Sequence, residues 1–145
     1  MRRVARAGGI VAARESDYGA FAWYPDVDGM DGWKALYRSV AVAKGGQPDA
    51  GRMVHAWARA AGFAPAAVAC SSSTWCYSTA DEIAWWSGLW AERTVSSAFA
   101  QSALGAGLAT EAELDETAAA WIRWGRQEDA WFSLLHGEVI CRKEA

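Results

Sequence analysis

Residues 8–17 read Gly8-Gly9-Ile10-Val11-Ala12-Ala13-Arg14-Glu15-Ser16-Asp17. A Gly-Gly turn opens a short apolar run that ends in polar residues. Bounded in this way, the run predicts a buried parallel strand. Downstream, residues 19–31 form an aromatic loop with Phe21, Trp23, Tyr24 and Pro25, and Asp28 or Asp31 is placed to cap a helix. Trp33, Leu36, Tyr37 and Val40 recur at i, i+3, i+4, i+7, which is one apolar helix face, and Gly45-Gly46 ends it. Asp49 is placed to cap a second helix. Met53, Trp57, Ala60 and Ala61 line its buried side, and Gly62 follows as its C′ glycine.

Residues 67–78 are rich in Val, Ser, Thr and Cys, with Trp75 and Tyr77 on alternate positions, which predicts a second strand. Thr79 and Glu82 form a capping box and open a long helix carrying Ile83, Trp86, Leu89 and Trp90, broken by Gly105 and Gly107. Thr110 and Glu113 repeat the box before Leu114, Ala118 and Trp121. Asp129 is read as the cap of a short last helix with Trp131, Phe132, Leu134 and Leu135, stopped by Gly137. Glu138–Arg142 is then the final strand. The alternation of strands and helices predicts an α/β fold whose sheet has three strands.

The chain has 145 residues, of which 52% are hydrophobic and 21% charged. That is one domain's length, and too apolar for disorder. A net charge of −3 argues against nucleic acid as the main partner. No apolar run reaches the ~18 residues of a membrane span. After the basic start Met1–Arg6, only residues 10–13 are continuously apolar, too few for a signal sequence, so a cytoplasmic protein is expected. Cys70, Cys76 and Cys141 lack CxxC spacing and read as reduced, mostly buried thiols without disulfide or zinc. No metal site is expected of two histidines.

Glu15, Asp17 and Tyr18 follow the first strand, and open α/β sheets bind ligands outside the carboxyl ends of their strands. A carboxylate there either meets a substrate or is a polar strand end facing water. Trp23, in the next loop, either lines a pocket or packs. Trp57, Trp86 and Trp121 read as core, while Trp85, Trp86 and Trp90 share one helix that an aromatic pocket would use. Arg52 either meets an acidic group of a substrate or is solvated. His55 reads as a helix-surface histidine, and His136 as a cation complementing a helix C-terminus. Residues 71–74 (Ser-Ser-Ser-Thr) lack a Gly-x-Ser-x-Gly elbow and read as a strand edge or loop.

Several stretches together resemble class I S-adenosylmethionine-dependent methyltransferases, nearest the ubiquinone/menaquinone-biosynthesis type and its actinobacterial relatives. Residues 2–12 (Arg-Arg-Val-Ala-Arg-Ala-Gly-Gly-Ile-Val-Ala) resemble the stretch leading into that family's fifth strand, with Ala5 and Ala7 where Leu and Pro are usual. Asp49-Ala50-Gly51-Arg52-Met53, then Trp57 and Ala61-Gly62-Phe63, resemble "D-x-G-R-x-L … A-G-F" before the sixth strand. Residues 105–114 resemble the "G-L-x-T-x-E-E-L" turn of a helical insertion, and residues 131–141 resemble the close of the domain.

The resemblance implies that residues 1–145 are a single partial domain, the C-terminal, acceptor-side portion of a Rossmann-like methyltransferase sheet with a helical insertion. It implies S-adenosylmethionine as the methyl donor and a small molecule as the acceptor. It places Glu15, Asp17, Tyr18 and Trp23 at the acceptor. The family's donor site uses a Gly-rich turn after the first strand and acidic residues at later strand ends. No such turn stands in this sequence, because Gly105-Ala106-Gly107 breaks a helix and does not join a strand to one. The expectation is therefore a truncated chain, without cofactor-binding or catalytic residues of its own and inactive alone. The family's seventh strand, here Glu138–Arg142, runs antiparallel between the fifth and sixth. The fifth strand would then keep a bare edge, open to a second copy or to a complementing N-terminal half. The alternative reading is a non-enzymatic domain that binds a hydrophobic small molecule in an aromatic-lined helical pocket.

Overall fold

The computed structural model describes residues 1–144. In chain order the elements are β1 (Ile10–Ser16), β2 (Ala22–Tyr24), α1 (Met30–Ala43), α2 (Val54–Ala60), β3 (Val68–Tyr77), α3 (Ala80–Ser96), α4 (Ala98–Gly105), α5 (Glu111–Trp124) and β4 (Trp131–Arg142). Short 3-10 turns lie at Tyr18–Ala20, Ala50–Met53 and Pro65–Ala67. The chain is mixed α/β, as its alternating pattern implies, with four strands in its sheet. It forms two compact units, residues 1–20, 49–75 and 134–144 in one and residues 21–48 and 76–133 in the other.

In the first unit β1 pairs antiparallel with β4, from Ile10 opposite Arg142 to Ser16 opposite His136. β3 also pairs with β4. Because β1 occupies one edge of β4, β3 takes the other, so the last strand lies between the two earlier ones, as the resemblance implied. β1 is not the buried parallel strand its sequence suggests. It is antiparallel, and Ile10, Ala12 and Arg14 are exposed while Val11 and Ala13 are half-buried. Period-2 exposure follows because one face of β1 packs on α2 and the other faces outward. The buried side gathers Val54, Ala58, Phe63, Val139 and Cys141, with Val11, Ala13 and Val68 against them.

In the second unit β2 pairs with the start of β4, Trp23 opposite Phe132. The helices α1, α3, α4 and α5 pack around a cluster of rings. Trp33, Trp121, Trp124 and Phe132 are fully buried, and Trp86 and Trp90 nearly so. Trp33 meets Trp121 edge-on at 4.6 Å and Trp90 edge-on at 4.8 Å between ring centroids, while Trp90 stacks on Trp121. Such pairs add about 0.5–1.5 kcal/mol each beyond the area they bury. A second layer joins Val40, Ala100, Ala103 and Leu114. Both capping boxes form, at Thr79/Glu82 and Thr110/Glu113.

Several elements differ from the sequence reading. Residues 131–137 are strand, not helix. Phe132, Leu134 and His136 are buried on alternate positions, a period that fits β structure and overrides the apolar run's helical look. Residues 22–24, read as loop, form β2. The long third helix breaks at Ser97, whose Oγ accepts from the Phe99 amide as the cap of α4 and donates to the Arg93 carbonyl of α3. Gly29 in the left-handed region (φ 99°) stands at the cap of α1, in place of an aspartate. Cys70 and Cys76 are exposed, and only Cys141 is buried.

Candidate functional site

The carboxyl end of β1 is held by one knot of side chains. Asp17 is buried. Its Oδ2 accepts from the Arg52 Nε at 2.6 Å and from the Arg52 amide at 3.1 Å. Its Oδ1 accepts from the Arg52 Nη2 at 2.6 Å and from the Ala20 amide at 3.1 Å. Asp49 does not cap a helix. Its Oδ1 accepts from the Gly19 amide at 2.9 Å. The short Asp-x-Gly-Arg stretch therefore fastens the turn 17–20 from two sides. Gly51 between them is required for space, because a Cβ there would meet Asp17 Cβ and the Glu15 carbonyl at 2.9 Å and the Gly137 amide at 3.0 Å. A Cβ on Gly137 would strike the Gly51 carbonyl. The hydrogen bonds from Arg52 lead in holding the Asp17 carboxyl below its ordinary range, against the opposing effect of burial.

Tyr18 stands on the fastened turn, half-buried. Glu15 is exposed, two residues before the knot. The structure thus brings Glu15, Asp17 and Tyr18 to one strand end. Trp23 belongs to the other unit, where its ring stacks with Phe132 and the Lys34 ammonium sits 4.6 Å from its centroid. Arg52 is not free: its Nε and Nη2 pair with Asp17, although more than half of its side chain is exposed.

Glu15 also lines an apolar groove of about 270 Å³ in the first unit. Its walls are Val11 and Ala13 of β1, Val139 and Cys141 of β4, and Val54, Trp57, Ala58, Ala61 and Phe63 on and after α2. Glu15 lies at the end of the groove where α2 begins, beside Gly51. Arg2 lies where α2 ends, its guanidinium over the Phe63 ring at 5.7 Å and against Gly62. The sequence reading missed this groove. Its signal was the run Val54, Trp57, Ala58, Ala61 on one face of a helix, but which strand that face would meet depends on pairing that spacing alone does not give. Trp86 and Trp90 of α3 and Trp121 and Trp124 of α5 fill the second unit's core on one another, while Trp85 is exposed.

On the outward face of the sheet, Glu138 accepts from Ser71 Oγ at 2.9 Å, Ser73 Oγ at 2.6 Å and Arg14 Nε at 3.0 Å. The serine hydroxyls lead in holding the Glu138 carboxyl below its usual range. Ser71 and Ser73 thus read as cross-strand partners of a carboxylate. His136 is not at a helix end. It lies inside β4, buried, 4.7 Å from the Trp75 ring centroid, with Nδ1 lacking a hydrogen-bond partner among the described residues. Burial first, then the Arg14 charge, lowers its pKa. Among the described residues no cluster of His, Cys, Asp or Glu could hold a metal ion, and no helix is long and apolar enough to cross a membrane.

The turn after β1 does not fit S-adenosylmethionine. Donor sites at strand ends need free backbone amides and a free carboxylate for the ligand's polar groups. Here the Gly19, Ala20 and Arg52 amides are engaged by Asp49 and Asp17, the Asp17 amide donates to the Leu135 carbonyl, and both Asp17 oxygens are occupied. A Cβ on Gly19 would meet Arg52 Nη2 and Asp49 Oδ1 at 2.9 Å, so its small size serves the knot and not a ligand.

No family model matches the chain. The chain is similar to a protein of Schizosaccharomyces pombe described as an uncharacterized methyltransferase, with 29% identity over 147 residues that cover 99% of this chain. The chain spans about half, 51%, of the length of that relative. The likeness supports a methyltransferase family in general.

Proposed function

We propose that this chain is the acceptor-side portion of an S-adenosylmethionine-dependent methyltransferase of the ubiquinone/menaquinone-biosynthesis type, acting on a small molecule. The observation that carries the reading is the end-to-end likeness to a protein described as a methyltransferase, of which this chain matches half. The strand arrangement, with β4 between β1 and β3, is compatible with the later part of a Rossmann-like methyltransferase sheet. In this reading the donor is bound by a complementing half, and the cofactor supplies an electrophilic methyl on sulfur. This chain's own work is to fix the turn 17–20 so that an acceptor held there keeps one orientation, since proximity and alignment carry much of such a reaction's rate. Asp17 is a positioning residue, acting through Arg52. Tyr18, on the held turn, is assigned to the acceptor. A cytoplasmic setting belongs to the same proposal.

The test joins this chain to the part of the fission-yeast protein that it does not span, by co-expression or fusion. S-adenosylhomocysteine binding by the joined protein, absent from either part alone, is the expected result. A joined protein that is folded and associated yet binds no S-adenosylhomocysteine overturns the reading.

A further inference from the structure

The open edge of β3 has a composition and a polarity that the proposed reaction does not use. β3 is ten residues long, and β4 is its strand partner in the sheet. What its other edge presents follows from the ladder on β4. The Leu135 carbonyl accepts from the Asp17 amide, and the Lys143 amide donates to the Gly9 carbonyl, both on the β1 side. Odd residues of β4 therefore bond to β1, and even ones bond to β3. Ser71 and Ser73 share a sheet face with Glu138, and Trp75 shares it with His136. Odd residues of β3 thus stand opposite even residues of β4 and bond to them. The amides and carbonyls of Cys70, Ser72, Thr74 and Cys76 point the other way, along the open edge, and all four residues are exposed. Open edges are ordinarily guarded by charge, by proline or by a short strand. β1, at the opposite edge, carries Arg14 and Glu15. β3 has no proline, and no charged residue stands between Arg59 and Asp81.

We propose that this edge pairs antiparallel with the same edge of a second copy of the chain, giving a two-fold dimer whose sheet runs through both copies. The sequence about Ser73 selects a copy as the occupant. Cys70 and Cys76 stand three residues either side of Ser73, and Ser72 and Thr74 one residue either side. A two-fold axis at Ser73 sets Ser72 against Thr74 of the partner and Cys70 against Cys76 of the partner. Small uncharged side chains then meet one another at each of these positions, and no like charges oppose the pairing. The four outward-pointing residues of each copy exchange about eight main-chain hydrogen bonds, within the range of an ordinary interface. On the other face of the strand, Trp75 of the partner lies against Ser71. That ring is 45% exposed in the single chain and gains cover in the dimer. The inference does not rest on the methyltransferase reading, and no methyl donor enters its test.

The experiment is sedimentation equilibrium of the full chain under a thiol reductant, from about 1 to about 200 µM, because the dimer population follows protomer concentration. A monomer–dimer equilibrium is expected. Thr74→Lys puts a charge on the edge, and Ser72→Pro removes an amide that β4 does not use. Each is expected to weaken dimerisation by about tenfold or more. Ala12→Lys, on the β1 edge, is expected to leave it unchanged. All three residues are exposed, and circular dichroism checks that each variant is folded. Once the reductant is removed, a bis-methanethiosulfonate with a two-carbon spacer is expected to join Cys70 of one copy to Cys76 of the other. Mass spectrometry of mixed isotope-labelled and unlabelled chains reads that link. A chain that stays monomeric at the highest concentration overturns the proposal. So does a dimer that Thr74→Lys and Ser72→Pro leave intact, a dimer that Ala12→Lys abolishes, or linkage of Cys70 to Cys70 in its place.

Discussion

Arg52 meets the buried Asp17 in a two-pronged ion pair, Nε on Oδ2 and Nη2 on Oδ1, each at 2.6 Å. The pair crosses 35 residues of sequence and ties the turn after β1 to the 3-10 turn before α2. Paired geometry of this kind gives direction as well as strength. Arg52→Ala leaves the carboxylate buried and without two of its four donors, and a clear loss in unfolding free energy is expected. Arg52→Lys restores the charge without the fork and recovers a part of it. Chemical denaturation of the three proteins checks this.

The same pair sets a response to acid. The Asp17 pKa is lower in the folded chain than its ordinary 3.8. Its contribution is present above the unfolded value and is lost as pH falls through the folded one. Asp17→Asn should therefore be less stable than the parent at neutral pH, with the gap closing as pH falls below the carboxylate range. A gap that stays constant down to that range contradicts the assignment.

His136 gives a second pH response, at milder acidity. Its folded pKa lies below the ordinary 6.5 because burial disfavours the charged ring. Between those two values the unfolded chain holds a proton that the folded chain does not, so stability falls as pH drops through about 6.5. His136→Phe keeps a ring beside Trp75 and should remove that part of the pH dependence. Thermal melts at pH 7.5 and 5.5 for the two proteins measure it.

In the first unit the backbones of Gly51 and Gly137 lie too close to admit a side chain at either. Gly137→Ala places a methyl on the Gly51 carbonyl, with no flexible side chain to yield. A loss above about 3 kcal/mol, or failure to fold, is expected. Gly88→Ala is the control, because a Cβ there meets nothing within 4 Å. Glycine's lower helix propensity makes that change neutral or slightly stabilising.

The core of the second unit should show in a tryptophan series. Trp33→Ala empties a fully buried site ringed by Phe21, Trp90 and Trp121 and should cost about 3–5 kcal/mol. Trp85, 56% exposed, should cost under about 1 kcal/mol on the same change.

Helices were the most legible part of the fold. α1, α3 and α5 begin and carry their apolar stripes where local spacing places them, and both capping boxes form, because those signals lie within a few residues. β4 was not legible at its start. Trp131, Phe132, Leu134 and Leu135 fit either period, and only pairing of Trp131–Ser133 with β2 decides for strand. The buried positions of β4 also change parity, from Phe132, Leu134 and His136 to Val139 and Cys141, which no single template anticipates. At the candidate site, Asp17 and Arg52 were each visible as charged residues in suggestive places. That they face each other was not visible, since neither spacing nor composition links positions 35 apart. Glu15 was legible as a strand-end acid, but the groove it borders required α2 to be laid on β1.

The most direct test of the central claim, that this chain holds an acceptor and leaves the donor to another half, is calorimetric titration of S-adenosylhomocysteine into the folded chain alone. The turn 17–20 spends the Asp17, Gly19 and Ala20 amides and the Asp17 carboxylate internally, so no saturable binding below about 1 mM is expected, which is weaker than about −4.1 kcal/mol. Micromolar binding, at one site per chain or per pair of chains, would contradict the account.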